Sequence, residues 1–91
     1  SNIDRNIISR AVPLELNLIG KHVDEALNEL ERYLDDVVIK GYSEVRIIHG
    51  SGTGALRKAV HEYLNKQKFI KSYRLGGMGE GGVGATVVTL K

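Results

Sequence analysis

The chain has no cysteine. That excludes disulfide bonds, thiolate zinc sites and a cysteine nucleophile, and it fits a reducing, cytoplasmic setting. No apolar run approaches the roughly 20 residues that a membrane-spanning helix needs, so no membrane partner is expected. No signal-peptide pattern opens the sequence. Disorder is excluded as well, because 42% of the residues are hydrophobic and 26% charged, an ordinary globular balance. Ninety-one residues make one small domain with a single core.

Net charge is also small, at +2, but it is unevenly placed. Residues 1–49 carry six Lys/Arg and nine Asp/Glu, and residues 50–91 carry seven and two, so −3 is followed by +5. The basic half begins at a glycine-rich loop, which points to a polyanionic partner.

Residues 1–13 lack clean periodicity and end in Val12-Pro13; they read as an arm or linker from a larger protein, with Ser1-Asn2 a candidate tag scar. The domain itself is expected over 14–91. LELNL (14–18) alternates like a strand. From His22 to Lys40, Val23, Leu27, Leu30, Leu34 and Val37 or Val38 recur at three and four, the stripe of an amphipathic helix. Asp24 and Glu25 suit its first turn, and Lys40 with Gly41 suits its end. VRIIH (45–49) reads as a buried strand. Thr53 is placed to cap a second helix whose inner face carries Leu56, Ala59, Val60, Tyr63 and Leu64. FIKSYRL (69–75) and the β-branched ATVVTL (85–90) read as two further strands around a flexible loop, GGMGEGGVG (76–84).

The order β-α-β-α-β-β predicts a two-layer α/β sandwich. Its mixed four-stranded sheet carries two helices, with parallel pairing across the helical crossovers and an antiparallel final pair. Leu16, Leu18, Leu27, Leu30, Leu34, Ile47, Leu56, Val60, Leu64, Val87 and Val88 are the expected core. Ligands of such sheets bind beyond the carboxyl ends of the strands, which selects the turn after Leu18 and the loop after Ile48.

That second loop, in IHGSGTGALR (48–57), matches neither a Walker P-loop nor a dinucleotide fingerprint. Strand, glycines and helix in succession still aim backbone N–H groups and a helix dipole at one place. Gly50, Ser51, Gly52, Thr53 and Gly54 are therefore candidate phosphate ligands. Arg57 and Lys58 join them, because cations in a first helical turn are unfavourable unless an anion compensates. His49, at the strand's end, is the candidate general acid or base, with an ordinary pKa of about 6.5. Against this stands a plain glycine turn with two solvated cations and a histidine bonded to backbone. His22 and His61 are expected on helix surfaces, and no histidine pair has metal-ligand spacing, so no metal site is expected.

Three ordered motifs, LNLIG followed by HVDEAL, IIHGSGTGALRKAV, and GEGGVGATVV, resemble the Smr (small MutS-related) domain over residues 14–91. The resemblance is closest to the version at the C-terminus of the second type of bacterial MutS-like protein. It implies a fold like the C-terminal domain of translation initiation factor three. It also implies a module acting on DNA or RNA, usually as a nicking endonuclease (a hydrolase of phosphodiester bonds). Family roles include restraining recombination in DNA repair and acting on collided ribosomes. The parent would add an ATPase, which alone would bind ATP, and a dimerising region; the isolated domain is expected to be monomeric. Lys71, Arg74, Glu80, Gly81 and Gly82 then join the candidate nucleic-acid-binding face.

The sequence departs from the family in its first motif, normally Leu-Asp-x-His-Gly or Leu-Asp-x-Arg-Gly. Asn17 replaces the acid and Ile19 the basic residue. Asn17 cannot act as a base, and Ile19 can neither stabilise charge nor donate a proton. In the other two motif segments, the only acid near the expected face is Glu80, with a solvated loop residue as its plainer reading. A nuclease and a binding-only module for DNA, RNA or a ribosome therefore both stay open. So does a docking or dimerisation domain, and so does a divalent metal for cleavage.

Overall fold

A computed structural model describes residues 11–91. Ser1-Asn2 and most of the proposed 1–13 arm lie outside the described residues. Seven elements follow: strand β1 (Glu15–Asn17), helix α1 (Val23–Lys40), β2 (Glu44–Ile48), α2 (Ala55–Asn65), β3 (Ile70–Leu75), a 3-10 turn (Gly82–Gly84) and β4 (Ala85–Leu90).

The sheet order is β1-β2-β4-β3. β1 and β2 are parallel, and β4 is antiparallel to both of its neighbours. This is the mixed four-stranded sheet with two helices that the element order predicts. The last strand enters between β2 and β3 because it is the most apolar: Ala85, Thr86, Val87 and Val88 are all buried, a burden only a central strand can carry. β3 is left at the edge, where a register shift between Ile70 and Ser72 makes Lys71 the extra residue.

Alternation along the strands divides the sheet into two faces. Val45, Ile47 and Val88 join Leu30, Leu34, Val37, Val60 and Leu64 in the core, where full burial of such a side chain contributes about 1.5–3 kcal/mol. Leu16, Leu27 and Leu56 of the predicted core are only partly buried against it, and Val23 at the head of α1 is exposed. α1 ends where the Gly41 N–H donates to the Val37 and Val38 carbonyls. Residues 11–13 pack onto the domain: Val12 is buried, and the Tyr42 and Tyr33 hydroxyls donate to the Val12 and Pro13 carbonyls, each at 2.7 Å. Burial, with Tyr42 and Glu15 nearby, raises the Tyr33 phenol well above its usual pKa.

Two local readings are corrected. The second helix is not capped by Thr53. Its N-cap is Gly54, and Thr53 Oγ1 only accepts the Ala55 N–H, at 3.3 Å. Gly54 has φ 85°, a conformation that costs glycine little and a β-carbon much. The segment 76–84 is not a loose loop either. Glu80 N–H and Gly82 N–H donate to the Gly77 carbonyl, and the Glu80 carboxylate takes the Gly77 N–H at 2.8 Å.

Candidate nucleic-acid interface

Parallel β1 and β2 deliver their carboxyl ends to one edge of the sheet, and antiparallel β4 begins there. Three segments far apart in sequence therefore meet: the turn after β1, the loop after β2 and the turn before β4. The first is closed by Asn17, whose Oδ1 accepts the Ile19 N–H at 2.9 Å. The other two are joined at Gly84, whose carbonyl accepts both the His49 and the Gly50 N–H, at 3.0 and 2.9 Å. Between the first and second opens a cleft of about 590 Å³, lined by residues 19–23 and 49–57.

The cleft's chemistry follows from its lining. Among the described residues, the N–H groups of Ser51, Gly52, Thr53 and Gly54 donate to no protein acceptor. The N-terminus of α2 stands behind them, and the Arg57 guanidinium folds back over Gly54: a methyl group there would stand 2.9 Å from Arg57 Nη2. Among the described residues, no carboxylate lines the cleft. Free amides, a helix dipole and a guanidinium around an acid-free hollow make an anion receptor. Opposite them, Ile19 is 58% exposed and presents hydrocarbon, not charge. Lys58 lies one residue past the lining.

The remaining predicted residues are placed differently. Arg74 and Glu80 hold each other in a two-pronged ion pair, 2.8 and 3.0 Å, on the turn before β4. That pair and the Gly77 N–H hold the Glu80 carboxyl down at about 2, so Glu80 ties the turn together. Gly81 and Gly82 belong to the same turn. Lys71 sits at the start of β3, at the opposite end of the sheet, beside Asn65 and Tyr73. None of these five lines the cleft.

His49 forms part of the cleft's floor but is only 4% exposed. Its Nδ1 lies 3.0 Å from the Gly50 carbonyl oxygen and its Nε2 2.8 Å from Thr86 Oγ1, so both ring nitrogens are engaged inside the protein. Burial lowers its pKa; the Gly50 bond raises it and Arg57 lowers it further.

His61 is not a surface histidine. Its Nε2 lies 2.7 Å from the same Thr86 Oγ1, its ring stands edge-on to His49 at 6.0 Å, and it packs at 4.7 Å, tilted by 44°, against the Tyr73 ring. Burial lowers its pKa too, followed by His49 and Arg57. His22 is the N-cap residue of α1 and, with Lys21, lines the cleft; Lys21 is ion-paired to Glu29 at 3.1 Å.

His61, Thr86, Lys21 and His22 were not selected by sequence reasoning. The last two follow directly on the turn after β1, so the strand-end rule could have found them. Thr86 shares the inward period of Val88. His61 adjoins the core residue Val60, and nothing in the helical period marks it as bonded.

Among the described residues, no group of three or more His, Asp or Glu side chains is placed to hold a metal, and no helix is long and apolar enough to cross a membrane.

Comparison with known proteins agrees with this architecture. The family model of the Smr domain matches residues 16–91. The Endonuclease MutS2 of Fusobacterium nucleatum is 60% identical over 77 residues, which are 85% of this chain and 10% of that protein. The crystal structure of the Smr domain of Thermus thermophilus MutS2 superimposes with a TM-score of 0.82 at 44% identity, covering 85% of this chain and 96% of that one. YdaL, a stand-alone small MutS-related protein from Escherichia coli, superimposes with a TM-score of 0.83 at 25% identity, covering 96% and 72%. The chain spans about a tenth of the length of the MutS2 relatives it matches. With the family model over nearly the whole described domain and the same fold in solved relatives, the chain belongs to the Smr domain family.

Proposed function

We propose that this domain grips a DNA or RNA strand by its backbone, seating one phosphate against the amides of residues 51–54 with Arg57 alongside. The observation that carries the reading is that run of four unpartnered N–H groups in a cleft without a carboxylate. Phosphate contacts fix position and carry no base information, so binding should tolerate many sequences. Such binding suits a module that holds nucleic acid for a larger parent, alone or on a ribosome.

Binding of a labelled oligonucleotide should weaken steeply with salt, because each neutralised phosphate releases counterions. Arg57→Glu combined with Lys58→Glu should weaken it at least about tenfold for every sequence and flatten the salt slope. Unchanged affinity and slope would place the interface elsewhere.

A second reading, strand nicking in the same cleft, is favoured by the activity in the name of the relatives, Endonuclease MutS2. Here the Asn17 oxygen is occupied by the Ile19 N–H, Ile19 is apolar, and both His49 nitrogens are bonded internally. The unmodified domain should therefore nick weakly or not at all. Asn17→Asp with Ile19→Arg should raise plasmid nicking at least about tenfold, since positioned acid–base and charge-stabilising groups commonly contribute 10²–10⁴. His49→Ala should remove whatever cleavage exists and also weaken binding, because it releases the Gly50 carbonyl. Strong nicking by the unmodified domain that survives His49→Ala would defeat this reading.

A further inference from the structure

We propose that Thr86 and His61 are positioning residues for the phosphate loop: they hold His49 in one tautomer, and His49 in turn aims the Ser51 N–H into the cleft. This builds on the proposed phosphate site, but its geometry stands independently.

A carbonyl oxygen can only accept a hydrogen bond, so the contact of His49 Nδ1 with the Gly50 oxygen at 3.0 Å requires a proton on Nδ1. In a neutral imidazole the other nitrogen is then an acceptor. Its partner at 2.8 Å is the Thr86 hydroxyl, which must spend its one proton there. Thr86 Oγ1 is left with acceptor capacity only, so His61, 2.7 Å away, must donate from Nε2. The direction of the whole chain is thereby settled: His61 Nε2–H to Thr86 Oγ1, Thr86 O–H to His49 Nε2, His49 Nδ1–H to the Gly50 carbonyl.

The last bond matters for the loop. In a trans peptide the C=O and N–H point in opposite directions. Holding the Gly50 carbonyl against His49 therefore turns the Ser51 N–H away from His49. Ser51 lines the cleft, and its N–H has no protein acceptor among the described residues. The preceding peptide, between His49 and Gly50, is fixed in turn by the Gly50 N–H bond to the Gly84 carbonyl, 2.9 Å. His61 is brought to Thr86 by α2 and packed against Tyr73 from β3, whose hydroxyl donates to Asn65. Burial lowers the pKa of both histidines, the charge of Arg57 lowers both further, and His49 also lowers that of His61. The neutral chain is thus the one the surroundings favour.

Nitrogen-detected NMR of the intact domain at neutral pH tests this without a ligand. His49 should show the Nδ1–H tautomer and His61 the Nε2–H tautomer. Thr86→Val removes the hydroxyl at nearly constant shape; it should mix the His49 tautomers, shift the Ser51 amide and lower oligonucleotide affinity about tenfold, the size of one lost buried hydrogen-bond partner. Thr86→Ser should restore all three. His61→Gln, which keeps a side-chain N–H, should disturb them less than His61→Leu.

An Nε2–H tautomer at His49, or a folded Thr86→Val domain with an unmoved Ser51 amide, would overturn the proposal. Should Thr86→Val fail to fold, wild-type tautomers and the two His61 variants decide the matter. A wild-type domain with the stated tautomers and no affinity for oligonucleotides would sink the phosphate site instead, leaving the loop-positioning chain intact.

Discussion

The loop at residues 50–54 and the turn at residues 76–84 are both rich in glycine and touch at Gly50 and Gly84, yet their backbone N–H groups go to different places. In the turn five of the nine are consumed, among them both ends: Gly76, Glu80, Gly82 and Gly84 donate to carbonyls, and Gly77 donates to the Glu80 carboxylate. In the loop, residues 51–54 donate to no acceptor among the described residues. The cations differ in the same way. Arg74 is spent on Glu80, whereas Arg57 lies over Gly54 with no carboxylate in the cleft. Glycine content therefore does not separate the two segments; a consecutive run of free amides beside a cation with no carboxylate partner does.

The largest effect that would sharpen this contrast is expected at Gly81. It has φ 99°, and a β-carbon there would stand 2.7 Å from Ala85 Cβ. Gly81→Ala should lower unfolding free energy by about 1–3 kcal/mol in denaturant titration while leaving oligonucleotide affinity of the folded fraction unchanged. A variant that unfolds normally but loses binding would make the turn a ligand site.

A smaller change of opposite sign is expected at Gly52, which lies outside the left-handed region and has nothing near a prospective β-carbon. Gly52→Ala should leave stability unchanged or raise it by about 0.4–1 kcal/mol, through a less flexible unfolded chain, while the added methyl weakens phosphate approach. Stability loss with full binding would reverse the assignment of the two loops.

The smallest effect is the pH response of the turn. The Glu80 carboxyl is lowered from 4.5 to about 2 by Arg74 and the Gly77 N–H. A lowered acid binds fewer protons folded than unfolded. Its contribution is therefore present above about 4.5 and lost as pH falls through about 2. Being solvent-exposed, the pair should matter little at neutral pH. Carbon-detected titration should find Glu80 well below the other glutamates, and Arg74→Gln should return it toward 4.5 without altering oligonucleotide affinity. An unperturbed Glu80 would mean a turn that is not tied by this pair.

Much of the fold was legible because it rests on local period. The α1 stripe of Leu30, Leu34 and Val37, the second helix with Val60 and Leu64, and the strand VRIIH all bury as their spacing requires. The amide-lined loop at residues 50–54 was legible for a related reason, since free backbone N–H groups follow from strand, glycines and helix in succession. Charge and a place near the right end of the sheet suggest Arg74 and Glu80 as ligand groups, whereas the structure pairs them with each other. Their six-residue separation does not disclose that the turn brings them into bidentate contact.

The sequence by itself determined the elements, their order, the basic half and the loop that carries free amides, because each depends on neighbours within a few positions of the chain. Tertiary structure alone decided that β4 would enter the sheet's middle and bring Thr86 within reach of both His49 and His61. It alone decided, too, that the Gly84 carbonyl would hold the start of the loop at residues 50–54. Those contacts join residues 25 to 37 positions apart. No periodicity encodes them; they exist because a central strand antiparallel to its neighbours starts at the edge where the parallel strands end.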